Sequence, residues 1–403
     1  MNVSVKFYTD EVLMKKILAC FISIVLSSFL FAETFEFTPV INEIYTSREV
    51  ALADNYVADS STFFSVLANP ANAGLTGDKK LFPFLSVDMN GSLAKTYDLF
   101  RYVSTKDSDN LAELLPKLES EPININMSGP FCFGFVKNNF ALAFINSTYA
   151  TGILDGVDTT SIGSGEQYLL DIAYAYPIKF TEKTILSVGM GLFTFLDIQG
   201  SYDGSLSEAL EYLIKKSYTF FPIYLSAGFG LDAGITFTTA DVFALGISWR
   251  NFFSGALSQK WDSIDEIKSL QRKYSILGNM PLDSNLECGI LINLPLEECT
   301  KHFLTVTKIF AQYKQLDELF NLKKNGQTFS PSMLYEYLSL GAELEVFHTI
   351  TFRYGLCNDY MAAGLGLRFD MIHFDAAVYS SKIGYKRNDN GSIGFSLSFG
   401  VYD

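Results

Sequence analysis

The chain has 403 residues, of which 48% are hydrophobic, 15% aromatic and only 18% charged. Its positive mean hydropathy excludes a disordered tail, which lacks the apolar surface needed to fold, and its net charge of −14 excludes a basic groove for nucleic acid. With 36 Phe and 22 Tyr against 2 Trp, the composition is that of a strand former.

The N-terminus comes first. Met14-Lys15-Lys16 precedes an apolar run from Ile17 to Phe31 that closes on Ala32-Glu33. A basic start, an apolar middle and a small residue at the end predict a cleaved secretory signal over residues 1-32. The run is short for a membrane anchor, which needs about 20 residues. Residues 33-80 carry little strand character.

From residue 81 to 403 one pattern dominates. No stretch after the leader is long and apolar enough for a membrane helix. Alternation recurs instead: Ile393, Phe395, Leu397, Phe399 and Val401 fall on one face, and Ser392, Gly394, Ser396, Ser398 and Gly400 on the other. Phe243, Leu245, Ile247 and Trp249 alternate with small residues in the same way, as do Ala363, Leu365, Leu367 and Phe369. Period two is a strand signature that a helix cannot use.

This reading predicts about fourteen strands, near 82-94, 123-136, 138-150, 165-180, 183-199, 217-232, 234-250, 282-295, 299-314, 335-346, 349-357, 360-370, 372-382 and 391-402. Tight turns are expected at Lys137-Asn138, Thr181-Glu182, Ala233, Leu296-Glu298, Phe347-His348 and Met371. Longer loops are expected near 95-122, 151-164, 200-216, 251-281, 315-334 and 383-390, with one short exception at Asn358-Asp359. Short turns at one end and long loops at the other describe an all-β, antiparallel, transmembrane β-barrel of the outer membrane. A bilayer offers no water to strand edges, so the sheet must close. Segments 110-120, 207-216 and 262-274 have helical spacing and read either as lids over the barrel mouth or as solvated loop helices.

The chemistry-bearing residues are few. There is no Gly-x-Ser-x-Gly elbow, phosphate loop, His-Glu-x-x-His or Cys-x-x-Cys motif. His302 and His348 read as surface residues. His373 shares a face with Asp375, but no nucleophile accompanies them, so the chain is read as a non-enzyme without cofactor or metal. Cys132, Cys288, Cys299 and Cys357 have no regular spacing; Cys288 and Cys299 either pair or remain free thiols. Gly189-Met190-Gly191, Gly228-Phe229-Gly230 and Gly364-Leu365-Gly366 lie inside strands, with the glycines inward, where they leave room for a ligand or a folded segment. Arg353 and Arg368 are predicted to face inward. They either meet a carboxylate head group by bidentate hydrogen bonding or are neutralised by Glu343, Glu345, Asp370 and Asp375.

Between leader and first strand the chain reads Asp59-Ser60-Ser61-Thr62-Phe63-Phe64-Ser65-Val66-Leu67-Ala68-Asn69-Pro70-Ala71-Asn72-Ala73-Gly74-Leu75. This stretch resembles the plug of FadL-type long-chain fatty-acid transporters of the outer membrane. Leu340-Gly341-Ala342-Glu343, Arg353-Tyr354-Gly355, the run Ala363 to Phe369 and Phe374-Asp375-Ala376-Ala377 look like the closing strands of that family, most similar in style to its spirochaete branch. Two features depart from the family pattern: Ala-Asn-Ala follows Asn69-Pro70, and the chain ends Tyr402-Asp403, whereas many outer-membrane proteins end on an aromatic.

The resemblance implies a fourteen-stranded barrel with an N-terminal plug (hatch) over residues 33-80, marked by Asn69, Pro70 and Ala71. It implies diffusive uptake of hydrophobic molecules such as fatty acids, with release through a lateral opening. Phe63, Phe64 and Leu67, with Arg353 and Arg368, are then the ligand-binding candidates. The implied partners are the lipid bilayer, hydrophobic small molecules and the barrel assembly machinery. The alternatives are a polar-solute porin and a structural or adhesive surface barrel.

Overall fold

A computed structural model describes residues 46–90, 123–154, 160–204, 222–261, 275–280, 282–294, 296, 300, 303–317, 335–358, 360–382 and 391–402. These form one antiparallel sheet of sixteen strand segments that closes on itself. The segments are β1 (Lys79–Asn90), β2 (Ile123–Ser128), β3 (Phe133–Lys137), β4 (Phe140–Leu154), β5 (Thr160–Thr181), β6 (Thr184–Gly204), β7 (Ile223–Thr239) and β8 (Phe243–Trp261). They continue with β9 (Ser275–Met280), β10 (Asn285–Asn293), β11 (Leu304–Tyr313), β12 (Leu338–Val346), β13 (Ile350–Cys357), β14 (Tyr360–Phe369), β15 (Ile372–Lys382) and β16 (Gly391–Tyr402).

Sixteen segments fill fourteen positions in the ring. β2 and β3 both lie between β1 and β4, one above the other. β9 and β10 likewise share the edge of β8. β16 pairs with β1, Leu81 opposite Tyr402, so the first and last strands meet at the turn end. The expected fourteen-stranded barrel is what the chain forms.

The alternation sets inside from outside. On β16 Ile393, Phe395 and Leu397 are exposed outward, while Ser396 and Ser398 are buried inward. On β8 Leu245, Ile247 and Trp249 are exposed, while Ala244 and Ser248 are buried. Period two forces this division once the sheet curls. An outward apolar face over a polar or small inward face is the arrangement a bilayer requires.

Several expected boundaries move. No turn occurs at Ala233: β7 runs on to Thr239 and the chain reverses at Ala240 and Asp241, both with positive φ (55° and 56°). Asp232, the last residue before the expected turn, accepts from the Asn251 backbone N–H at 2.7 Å beside a slip in the β7–β8 register. The expected loops 151-164 and 200-216 are partly strand, because β4, β5 and β6 reach Leu154, Thr160 and Gly204. The expected loop 251-281 is likewise entered by β8 and β9. Cys132, Cys288 and Cys357 are free thiols; Cys299, the leader, His302 and the three helical loop segments lie outside the described residues.

Candidate functional site

Residues 46–78 lie inside the ring. Two short helices, α1 (Ser47–Ala51) and α2 (Phe64–Ala68), and a 3₁₀ turn over Pro70–Gly74 make up the segment. α1 packs on β13 to β16, and the 3₁₀ turn packs on β4 to β7 across the lumen. Local chemistry shapes each piece. The Ser61 N–H donates to Asp59 Oδ1 at 3.0 Å, and Ser65 is tied to Thr62 through both its N–H and its hydroxyl. Asn69 caps the 3₁₀ turn by accepting from the Ala71 N–H at 3.1 Å, and Pro70 fills the first helical position, where no N–H is needed.

The Asn-Pro-Ala motif anchors this segment to the wall. Asn69 Nδ2 donates to the Val57 carbonyl at 2.9 Å and to Thr236 Oγ1 at 3.0 Å. The Thr236 hydroxyl donates to Asn72 Oδ1 at 2.8 Å, and Ser187 donates to the Ala71 carbonyl at 2.7 Å. Asn72, part of the departure from the family pattern, uses its Nδ2 on the Asp59 and Ser65 carbonyls. Inward glycines make room: a Cβ at Gly189 would overlap the Ala71 nitrogen, and one at Gly234 the Asn69 side chain. Gly246, Gly355 and Gly364 receive Val57, Ala53 and Ala51 in the same way.

An ion network holds the opposite side. Arg48 donates to Glu343 at 2.8 Å and to Asp59 at 2.7 Å. Arg353 donates to Glu343 at 2.8 Å and also to Asp375. Lys308 Nζ lies 3.5 Å from Asp59 and 3.7 Å from Glu343. Glu343 and Asp375 therefore engage Arg353, whereas Glu345 accepts from Thr305 at 2.8 Å and Asp370 sits at the β14–β15 turn with φ 57°. Burial alone would raise the Asp59 carboxyl, but Lys308 and Arg48 outweigh it and hold it at about 2. Glu49 is the converse. Burial pushes its carboxyl up to about 7, only partly countered by Arg48, whose Nη1 is 3.7 Å away.

Arg368, His373 and Lys79 line a cavity of about 210 Å³ beside this network, together with Phe63 and Thr62. The two candidate arginines thus border one cavity, with Arg353 already engaged by carboxylates.

Of the candidate aromatics, Phe63 borders this cavity and also joins Phe64 in an apolar cluster beside it. Phe63 and Phe64 are buried with Phe84, Cys132, Val136 and Ile145, and Leu67 packs partly buried against them. This cluster backs directly onto the break between β2 and β3. There Gly129 (φ 99°) approaches β1 so closely that a Cβ would overlap the Phe84 carbonyl. The ladder is replaced by two bonds to one residue of β4: the Gly129 N–H donates to the Asn146 carbonyl at 2.8 Å, and the Phe131 N–H to its Oδ1 at 2.9 Å. Phe82 and Phe131 stand exposed on the outer surface of the same break. The aromatic cluster was signalled by Phe63-Phe64. Arg48 and Asn146 carried no signal in sequence, because their roles depend on partners in distant strands.

No family model and no curated protein matches the chain. Solved structures do align with it. The toluene transporter TodX of P. putida is 11% identical, with 89% of this chain and 98% of that one covered and a TM-score of 0.45. The Ralstonia pickettii toluene transporter TbuX is 13% identical over the same shares, with a TM-score of 0.45. A Pseudomonas aeruginosa FadL homologue is 10% identical, covering 89% and 97%, at 0.42.

Proposed function

We propose that the protein is an outer-membrane channel of the FadL type that passes hydrophobic molecules, long-chain fatty acids among them, by diffusion. The observation that carries this reading is the packing of Phe63, Phe64 and Leu67 behind the β2–β3 break. An apolar cluster inside the barrel backs onto the wall where Gly129 and Pro130 interrupt β2 and β3. A molecule that displaces the phenyl rings has an apolar route from lumen to bilayer and never needs a wet pore. Residues 33-80 act as the plug, and residues 1-32 direct the chain across the inner membrane to the barrel assembly machinery. Arg368, on the cavity that Arg353 shares, receives a carboxylate head group, since Arg353 is already occupied by Glu343 and Asp375.

Deleting residues 33-78, which leaves β1 whole, tests the reading. The barrel should stay folded, single-channel conductance in planar bilayers should rise, and fatty-acid binding by the purified protein should fall together with it. A truncated barrel that conducts like the intact one removes the plug. Binding that survives the deletion removes the ligand pocket.

A polar-solute porin is the second reading, favoured by the buried inward polar groups Gln167, Asp197, Gln199 and Ser226. It expects measurable solute flux through the intact chain and no link between conductance and hydrophobic-ligand binding.

A further inference from the structure

We propose that the second interruption of the wall, between β8 and the β9/β10 position, is a side port that admits uncharged apolar molecules from the bilayer into the lumen. The proposal rests on the transporter reading above and adds to it a route inward.

The ladder is open here. β8 pairs with β10 from Phe243 to Arg250 and with β9 from Ala256 upward, so residues 251–255 have a place in neither register. Asn251 turns the backbone with φ 54°, and β8 slips against β7 at the same height. On its other edge, therefore, β8 is irregular too.

Side chains lace the seam instead. Trp249 Nε1 donates to Ser284 Oγ at 2.8 Å, and Asn251 Nδ2 to the Asp283 carbonyl at 3.0 Å. The Leu282 N–H donates to Ser254 Oγ at 2.8 Å. These bonds can be exchanged by rotamer changes, while the ladders above and below keep the barrel closed.

The seam has apolar surface on both sides. Leu282 turns inward and is buried against Phe193, Phe195 and Ala256. Trp249 and Phe253 are exposed on the outside. Among the described residues the Leu282 side chain fills the inner side of the seam, and a hydrocarbon of similar width could take its place without leaving a polar group unpaired. The residues packed around Leu282 carry no charge, and the nearby Asp232 carboxylate is taken by the Asn251 N–H, so the ligand is an uncharged one.

Height distinguishes the two breaks. The seam begins roughly eight residues up from Phe243, about 20 Å along the axis at ~3.3 Å per residue and ~40° tilt. The β2–β3 break begins roughly five residues up from Phe140, about 13 Å by the same geometry. Against an apolar band about 25 Å tall, the seam faces the outer half of the bilayer. The two breaks lie on well-separated arcs of the ring, with β4 to β8 between them on one side.

Photolabelling in nanodiscs tests the port. An uncharged alkyl diazirine is dissolved in the bilayer, and labelling of Phe193 and Phe195 is followed by mass spectrometry. Asn251→Cys with Ser284→Cys places a disulfide across the seam, confirmed by intact mass. Oxidised, this variant should label several-fold more slowly than wild type, with recovery on reduction; Leu282→Ala alone should label several-fold faster. Equal labelling of oxidised and reduced forms, or no change in Leu282→Ala, overturns the port. Labelling at Phe63 and Phe64 without any at Phe193 or Phe195 refutes the port and leaves the transporter reading standing. A lumen that labels nowhere removes both.

Discussion

Asn69→Ala should unseat the N-terminal segment while leaving the barrel intact. The side chain is fully buried and makes three hydrogen bonds, two as donor and one as acceptor. Thr236 keeps a partner in Asn72 Oδ1, but the Ala71 N–H loses its acceptor and the Val57 carbonyl its short bond. Each buried group left unsatisfied costs about 1–3 kcal/mol. The seated state should therefore lose about 2–4 kcal/mol, roughly 30- to 700-fold in the seating equilibrium. No strand ladder involves Asn69, so heat-modifiable migration in gels should be unchanged. Protease cleavage within residues 46–78 and mean channel conductance should both rise. Gly234→Ala attacks the same contact from the wall, since its Cβ would meet the Asn69 side chain, and should give the same pair of changes. Wild-type protease resistance and conductance in both variants would mean that the motif does not hold the segment.

Other outcomes follow from the same geometry. Leu397→Lys puts a charge on the outward face and should impair assembly by about 2–4 kcal/mol if near the midplane, whereas Ser396→Ala, facing the lumen, should still give a folded, heat-modifiable barrel. Seating should strengthen as pH falls from 8 to 5: Glu49 titrates at about 7 when seated against an ordinary 4.5, so its penalty is complete above pH 7, shrinks between pH 7 and 4.5 and is gone below 4.5. Asp59 acts in reverse, held at about 2 against 3.8, so its contribution is present above pH 3.8 and lost as pH falls through 2. Proteolysis of residues 46–78 from pH 8 to 5 reads the Glu49 limb, its extension with an acid protease to pH 2 reads the Asp59 limb, and Glu49→Gln should abolish only the upper one. Asn146→Ala removes the side-chain acceptor of the Phe131 N–H and should raise release of bound hydrophobic ligand; an unchanged off-rate would remove the β2–β3 break from the route.

The barrel was legible because its signal is local and repeated. Residues 392 to 401 alternate without interruption in the sequence, and across the residues described there both faces fall where the sequence puts them. Legibility ended where a polar residue sits mid-strand for a cross-strand reason. A turn was expected at Ala233, yet Asp232 beside it serves the bent backbone of Asn251 in the next strand. The β2–β3 break was hidden for a related cause: Gly129-Pro130 is visible in sequence, but whether it ends a strand or interrupts one depends on register with β1 and β4. In the lumen, Asn69-Pro70-Ala71 and the inward glycines could be picked out separately, and their fit of backbone against missing Cβ needed coordinates. Arg48 was missed because its main partner, Glu343, lies on a distant strand.

The position of α1 and the 3₁₀ turn on opposite arcs of the ring has a mechanical consequence. Ser47 is bonded to Ser398 and Ser396 on β16, while Asn69 and Ala71 are bonded to β7 and β6. A cylinder of hydrogen-bonded strands resists stretching along its ladder but is easily flattened into an ellipse. The 46–78 segment acts as a strut across that cross-section, holding those two arcs at a set distance. Bilayer pressure that would squash an empty barrel is then borne by a chain whose two feet stand on β16 and on β6–β7.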